Sequence, residues 1–150
     1  RRETTPHLPV ENVVHIVTAG TMVPEALEAA ARLAEEEVAA NVINLTGPSL
    51  VYEAAKRLCQ QAMRDASQEP DEGPFAWLFP PDERRAPIVT VHDAASHALA
   101  FLGGVFGVPV VPLGVDVFGQ SGTRADLYRA TGIDPDSIVA AGLHALELRG

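Results

Sequence analysis

The sequence predicts an α/β fold of three layers, with helices on both faces of a mainly parallel sheet. Three observations carry this. Short, almost continuously apolar runs recur along the chain, as strands covered on both faces require. Amphipathic helical stretches separate them, so strand and helix alternate. The chain has 150 residues, 47% apolar and 21% charged, which suits one domain with a single sizeable core. No internal repeat is visible.

Residues 1–11 are polar, carry Pro6 and Pro9, and read as a linker entering a domain that spans 12–150. Val13 to Thr18 is the first strand. Ala19-Gly20 ends it, and Thr21 is placed to cap a helix with Pro24 in its first turn. That helix, about 22–38, puts Val23, Leu27, Ala30, Ala34 and Val38 on one face. Asn41 to Thr46 is the second strand, ended by Gly47-Pro48. Ser49 then caps a helix whose Val51, Ala55, Leu58 and Ala62 share a face, with Glu53 pairing toward Lys56 and Arg57. Cys59, near that face, reads as a buried small hydrophobe.

Residues 64–86 form a long irregular connection with Pro70, Pro74, Pro80 and Pro81. Phe75-Ala76-Trp77-Leu78-Phe79 lies in its middle. These aromatics either staple the loop to its own domain or anchor it on another domain or subunit. Pro87 to His92 is the third strand, and a helix over 94–106, weakened by Gly103-Gly104, follows with Asp93 as its cap. Val108 to Leu113 is the fourth strand, and Pro112 implies a sheet edge or a strand end. Helices over 123–130 and 135–148 close the chain, with Pro135 and Asp136 well placed to open the last one.

A net charge of −9 repels phosphate backbones, so nucleic acid and anionic membrane are poor partners. Cys59 is the single cysteine, so no internal disulfide forms, which fits a reducing, cytoplasmic setting. No signal peptide or bilayer-length apolar run is visible. The chain begins Arg1-Arg2-Glu3 rather than with Met and reads as a piece of a longer protein.

Several sites can be weighed and set aside. Thr18-Ala19-Gly20-Thr21 opens a helix but lacks the three glycines of a dinucleotide fingerprint. His92, Asp93, Ser96 and His97 cluster at a strand end, yet no nucleophile elbow accompanies them. His7, His15, His92, His97 and His144 are scattered without metal-ligand spacing. Gly114 to Arg124 is different. Gly114, Gly119 and Gly122 make a tight loop, and Ser121 or Thr123 caps the next helix. Arg124, in that helix's first turn, opposes the macrodipole and calls for a carboxylate, with Asp116 and Asp126 nearest in sequence. The loop is either internally paired or read by another domain.

Phe118-Gly119-Gln120-Ser121 followed by Thr123-Arg124, an acidic turn and an Ala-rich last helix resembles the end of transketolase-type, thiamine-diphosphate-dependent enzymes. Arg124 tilts the likeness toward the homodimeric E1 component of pyruvate dehydrogenase, with transketolase as the alternative and a stand-alone α/β binding or regulatory module as a third reading. The resemblance implies a Rossmann-like C-terminal domain that supports a homodimer and shapes access to an active site held elsewhere. No residue of this chain is then catalytic, cofactor-binding or metal-binding. Thiamine diphosphate and magnesium belong to the parent protein, and a lipoyl-bearing E2 component is a further possible partner. The residues expected to meet another domain or subunit are Asp116, Phe118, Gln120, Ser121 and Arg124, with His92 and Trp77.

Overall fold

A computed structural model describes residues 2–4, 12–65, 67, 69 and 71–150. Its centre is a five-stranded sheet of β1 (Arg2–Thr4), β2 (Val13–Ala19), β3 (Ala39–Asn44), β4 (Ile88–His92) and β5 (Val110–Leu113), in the order β1-β3-β2-β4-β5. β2 to β5 are mutually parallel. β1 pairs antiparallel with β3, Glu3 opposite Val42, so part of the expected linker is an edge strand. Pro6, His7 and Pro9 lie outside the described residues. β2 is flanked by parallel neighbours and covered on both faces. All seven of its residues are buried, and its unbroken apolar run follows from that position.

The helices are α1 (Val23–Glu35), α2 (Pro48–Arg64), α3 (Phe75–Leu78), α4 (Leu102–Phe106), α5 (Arg124–Thr131) and α6 (Pro135–Arg149). Alternate strand residues feed two cores. Val14, Ile16, Val89 and Val91 pack with α1 and α6, through Ala26, Leu33, Ile138 and Ala145. Val17, Ile43 and Ile88 pack with α2, α3 and α4, through Val51, Phe75 and Leu102. The three-layer α/β/α architecture is therefore the one expected. α1 and α6 approach closely at Gly142, where a Cβ would lie 3.2 Å from Leu33 Cδ1.

Five local expectations change, the first being that Ser49 lies inside α2, whose N-cap is Gly47 with no side-chain cap. α1 buries Ala26, Ala29, Ala30 and Leu33 and leaves Leu27 exposed, so its core face is turned by about a quarter turn from the expected stripe. Alanines carry little hydrophobic signal, and Leu27 and Leu33 cannot share a face. α1 also stops at Glu35; Glu37 takes φ 57° and Val38 donates back to the Leu33 carbonyl, so β3 starts earlier than expected. The expected 94–106 helix is instead a 3-10 turn (Ser96–Leu99) followed by the short α4. Gly103 explains it: a Cβ there would be 2.2 Å from Val110 Cγ2, so the segment lies directly against β5. Cys59 is exposed rather than buried. β5 is an edge strand, one of the two placings that Pro112 implied.

The connection from α2 to β4 is stapled by its aromatics. Phe75 and Phe79 are fully buried, 6.3 Å apart, and both meet the Phe106 ring. Phe79 also meets the edge of His15 at 5.1 Å. Arg84 forks onto Glu72 and donates through Nε to the Phe79 carbonyl at 3.1 Å. His15 Nε2–H donates to the Glu83 carbonyl at 3.0 Å, and Asn41 donates to the Glu83 carboxylate at 3.0 Å. Trp77, on the same short helix, is 60% exposed. Pro70 lies outside the described residues.

Candidate functional site

The chain leaves β2 toward β3 on one side and returns to β4 on the other. The crevice beyond the C-terminal ends of β2 and β4 is thus the topological switch point, where open α/β sheets place ligands and partners. Gly20 and Thr21 form one wall, His92 and Asp93 the other. Gly20 takes φ +69°, and a Cβ on it would sit 2.8 Å from Asp93 Oδ1, so glycine is required by both conformation and close approach.

Thr21 does not cap α1, which carries no side-chain cap. Its hydroxyl donates to Asp93 Oδ2 at 3.0 Å and lies 3.2 Å from the Tyr128 hydroxyl. A threonine has one O–H to give, so Tyr128 must be the donor of the second bond. The result is a relay, Tyr128 to Thr21 to Asp93. Asp93 consequently ties two strand ends and α5 together instead of capping the following segment. His92 Nε2 stands 3.6 Å from Asp93 Oδ1, and His92 Nδ1 is buried without a partner among the described residues. His97 faces solvent.

The loop from Gly114 to Thr123 rims the crevice and is fixed at its two ends. At the first, Gly114 packs on backbone: a Cβ would lie 2.5 Å from the Ala94 carbonyl oxygen. Val115 N–H donates to that same carbonyl at 2.8 Å, and Asp116 accepts the Ser96 N–H at 2.9 Å. The Ser96 hydroxyl, and then its backbone N–H, hold the Asp116 carboxyl below the usual carboxylate range. At the other end Thr123 caps α5, accepting the Asp126 N–H at 3.3 Å.

Arg124 pairs with neither expected carboxylate. Asp116 is taken by Ser96, and Asp126 accepts from Thr123 at 2.6 Å. Arg124 donates instead to Glu25 Oε1 at 2.6 Å and lies over the Tyr128 ring at 5.5 Å. Glu25 has 7% side-chain exposure against 65% for Arg124, so a nearly buried carboxylate is neutralised from the surface. The 99-residue separation hid this pair from sequence reading. Tyr128 had a readable signal, standing four residues after Arg124 on one helix face.

Between these ends the tip is open. Phe118 is 98% exposed and Val117 is 62% exposed. The loop, α5 and Asp93 enclose a crevice of about 240 Å³ lined by Asp93, Val115, Phe118, Gln120, Tyr128 and Ile133 among others. Asp116, Phe118, Gln120, Ser121 and Arg124 therefore share one loop and its pin, and His92 stands at the strand end beside them. Trp77 is elsewhere, in a groove past the end of β3 with Leu45, Leu50 and Arg57.

The crevice does not fit a metal-bound diphosphate. No Lys or Arg lines it, and its one carboxylate is Asp93. Among the described residues no group of three His, Cys, Asp or Glu could hold a metal ion, and no helix is long and apolar enough to cross a membrane.

These features define an open α/β sheet domain with a crevice and an exposed loop beyond the C-terminal ends of its strands. Residues 7–64 match the family described as the transketolase C-terminal domain. A split-gene transketolase, solved as an inactive β4 tetramer, is similar over 93% of this chain and 41% of its own, at 28% identity and TM-score 0.62. Campylobacter jejuni transketolase is similar over 92% of this chain and 18% of its own, at 20% identity and TM-score 0.60. Pichia stipitis transketolase covers 97% of this chain and 18% of its own, at 17% identity and TM-score 0.59. The last two show the fold alone. The sequence matches no curated protein. The fold is that of the transketolase C-terminal domain, and the family match lies within the first part of the chain. The chain spans well under half the length of the transketolases it resembles. The structures named are transketolases, so the tilt toward pyruvate dehydrogenase E1 gains no support from them. Arg124, which carried that tilt, has a local task on Glu25.

Proposed function

We propose that this chain is the C-terminal domain of a transketolase-type, thiamine-diphosphate-dependent enzyme, and that its task is assembly and access rather than chemistry. The observation that carries this is the switch-point loop: pinned at both ends by polar contacts, apolar at its exposed tip, and without a cradle for diphosphate. Such a loop suits contact with another domain or a second copy in a homodimer. The parent reaction on this reading is ketol transfer between sugar phosphates. Thiamine diphosphate and magnesium are held by the parent's other domains, in the cytoplasm. Decarboxylation of a 2-oxo acid, with acyl transfer to a lipoyl-bearing E2 component, is the second reading. The order Phe118-Gly119-Gln120-Ser121, Thr123-Arg124 favours it.

The chain alone is expected to turn over neither substrate class with thiamine diphosphate and magnesium supplied. A split-gene transketolase of this fold is an inactive β4 tetramer, so self-association without activity is the expected state. Sedimentation of the purified chain, with ketol-transfer and 2-oxo acid assays on the same sample, tests both points. Robust turnover by this chain alone would overturn the proposal. Sequencing of the mass-identified endogenous polypeptide separates the readings, since a short native chain would leave a binding module.

A further inference from the structure

We propose that the crevice between the 114–123 loop and α5 is a recognition site for an organic ammonium group carried on a small apolar body, with Asp93 as its counter-ion. The crevice, about 240 Å³, is smaller than the usual range for cofactor pockets, so it suits a compact group. Val115, Leu127, Ile133 and the Tyr128 ring give it apolar walls. Asp93 is the single carboxylate in that lining, and no cationic side chain lines the crevice to compete for it. Arg124, the nearest candidate, is occupied by Glu25.

The Asp93 carboxylate is held ready. Oδ2 is fixed by the Tyr128 to Thr21 relay. Oδ1 accepts no hydrogen bond among the described residues, since His92 Nε2 is 3.6 Å away. With Oδ2 fixed and Oδ1 packed on Gly20 without a hydrogen bond, the carboxylate keeps acceptor capacity for an N⁺–H donor. Phe118 adds an aromatic ring at the same crevice, and such rings attract ammonium groups; the Tyr128 ring, which already carries Arg124, adds apolar wall. The net charge of −9 draws cations toward the domain. A free amine and a lysine side chain of another protein share this chemistry.

Titration of the ¹⁵N-labelled chain with benzylammonium chloride at pH 8 tests the assignment, with benzyl alcohol as the neutral comparison. The expected result is saturable shifts at Val115, Phe118, Gln120 and Tyr128 with the amine and none that saturate with the alcohol. Asp93→Asn keeps an acceptor for Thr21 and is expected to weaken the amine about tenfold, as loss of one charge-assisted hydrogen bond does. Phe118→Ala, at a fully exposed position that does not support the fold, should weaken it about threefold through the lost ring contact. Nα-acetyl-lysine methylamide binding tighter than benzylammonium would identify a protein side chain as the source, and the reverse a free amine. Equal affinity for amine and alcohol, unchanged binding by Asp93→Asn, or no saturable shift would each overturn the proposal.

Discussion

Two irregular connections in this domain carry aromatic residues and use them in opposite ways. Between α2 and β4, Phe75 and Phe79 are sunk into the core and Arg84 locks the turn from above. Between β5 and α5, Phe118 stands almost wholly in solvent while Asp116 and Arg124 fix the loop's ends. The first loop extends the hydrophobic core; the second is a surface whose shape is set by polar contacts. The difference separates what stabilises the domain from what is available to a partner.

The largest effect is expected in the first loop. Phe79→Ala should cost about 3–5 kcal/mol in chemical denaturation, because the cavity opens beside His15, Phe75 and Phe106. Phe118→Ala should stay within about 0.5 kcal/mol of the parent chain. Equal losses would erase the distinction between the two loops. Next comes the base of the second loop. Gly114→Ala places a Cβ 2.5 Å from the Ala94 carbonyl, and about 1–3 kcal/mol of overpacking cost is expected in the same assay.

Arg124→Ala sharpens the comparison. It leaves the nearly buried Glu25 without its charged partner, at an expected cost of about 1–3 kcal/mol. Arg124→Lys should recover only part of it, lacking the planar fork that lies over Tyr128. A larger loss than for Phe79→Ala would make the pin, not the staple, the main support. The smallest effect is with pH. The folded-state pKa of Asp116 is depressed by Ser96, so its contribution is complete above the ordinary carboxylate pKa. It is lost as pH falls through the depressed value. The Ser96 amide resonance should report loosening of the loop base over that acidic window, and Asp116→Asn should flatten the response.

Much of the scaffold was legible from local pattern. The parallel strands appear as apolar runs, and the last two helices follow from Thr123, Gly132 and Pro135. Phe75 and Trp77 show where local pattern runs out. They are two residues apart in one aromatic run, yet one is in the core and the other 60% exposed. α1 misleads for a related reason: an alanine-rich helix has a weak stripe, and the sheet and α6 decide which side is buried.

Local sequence carries the alternation of strands and helices and, through Pro112, the placing of β5 at a sheet edge or a strand end. Each is written in neighbouring residues, through periodicity or ring constraint. The packing of distant elements sets Arg124 on Glu25 rather than on Asp116 or Asp126 and joins Thr21, Asp93 and Tyr128 in one relay. Those partners are far apart in the chain. A charge or hydroxyl carries no local mark of its partner, and only the winding of the sheet brings these groups to one crevice.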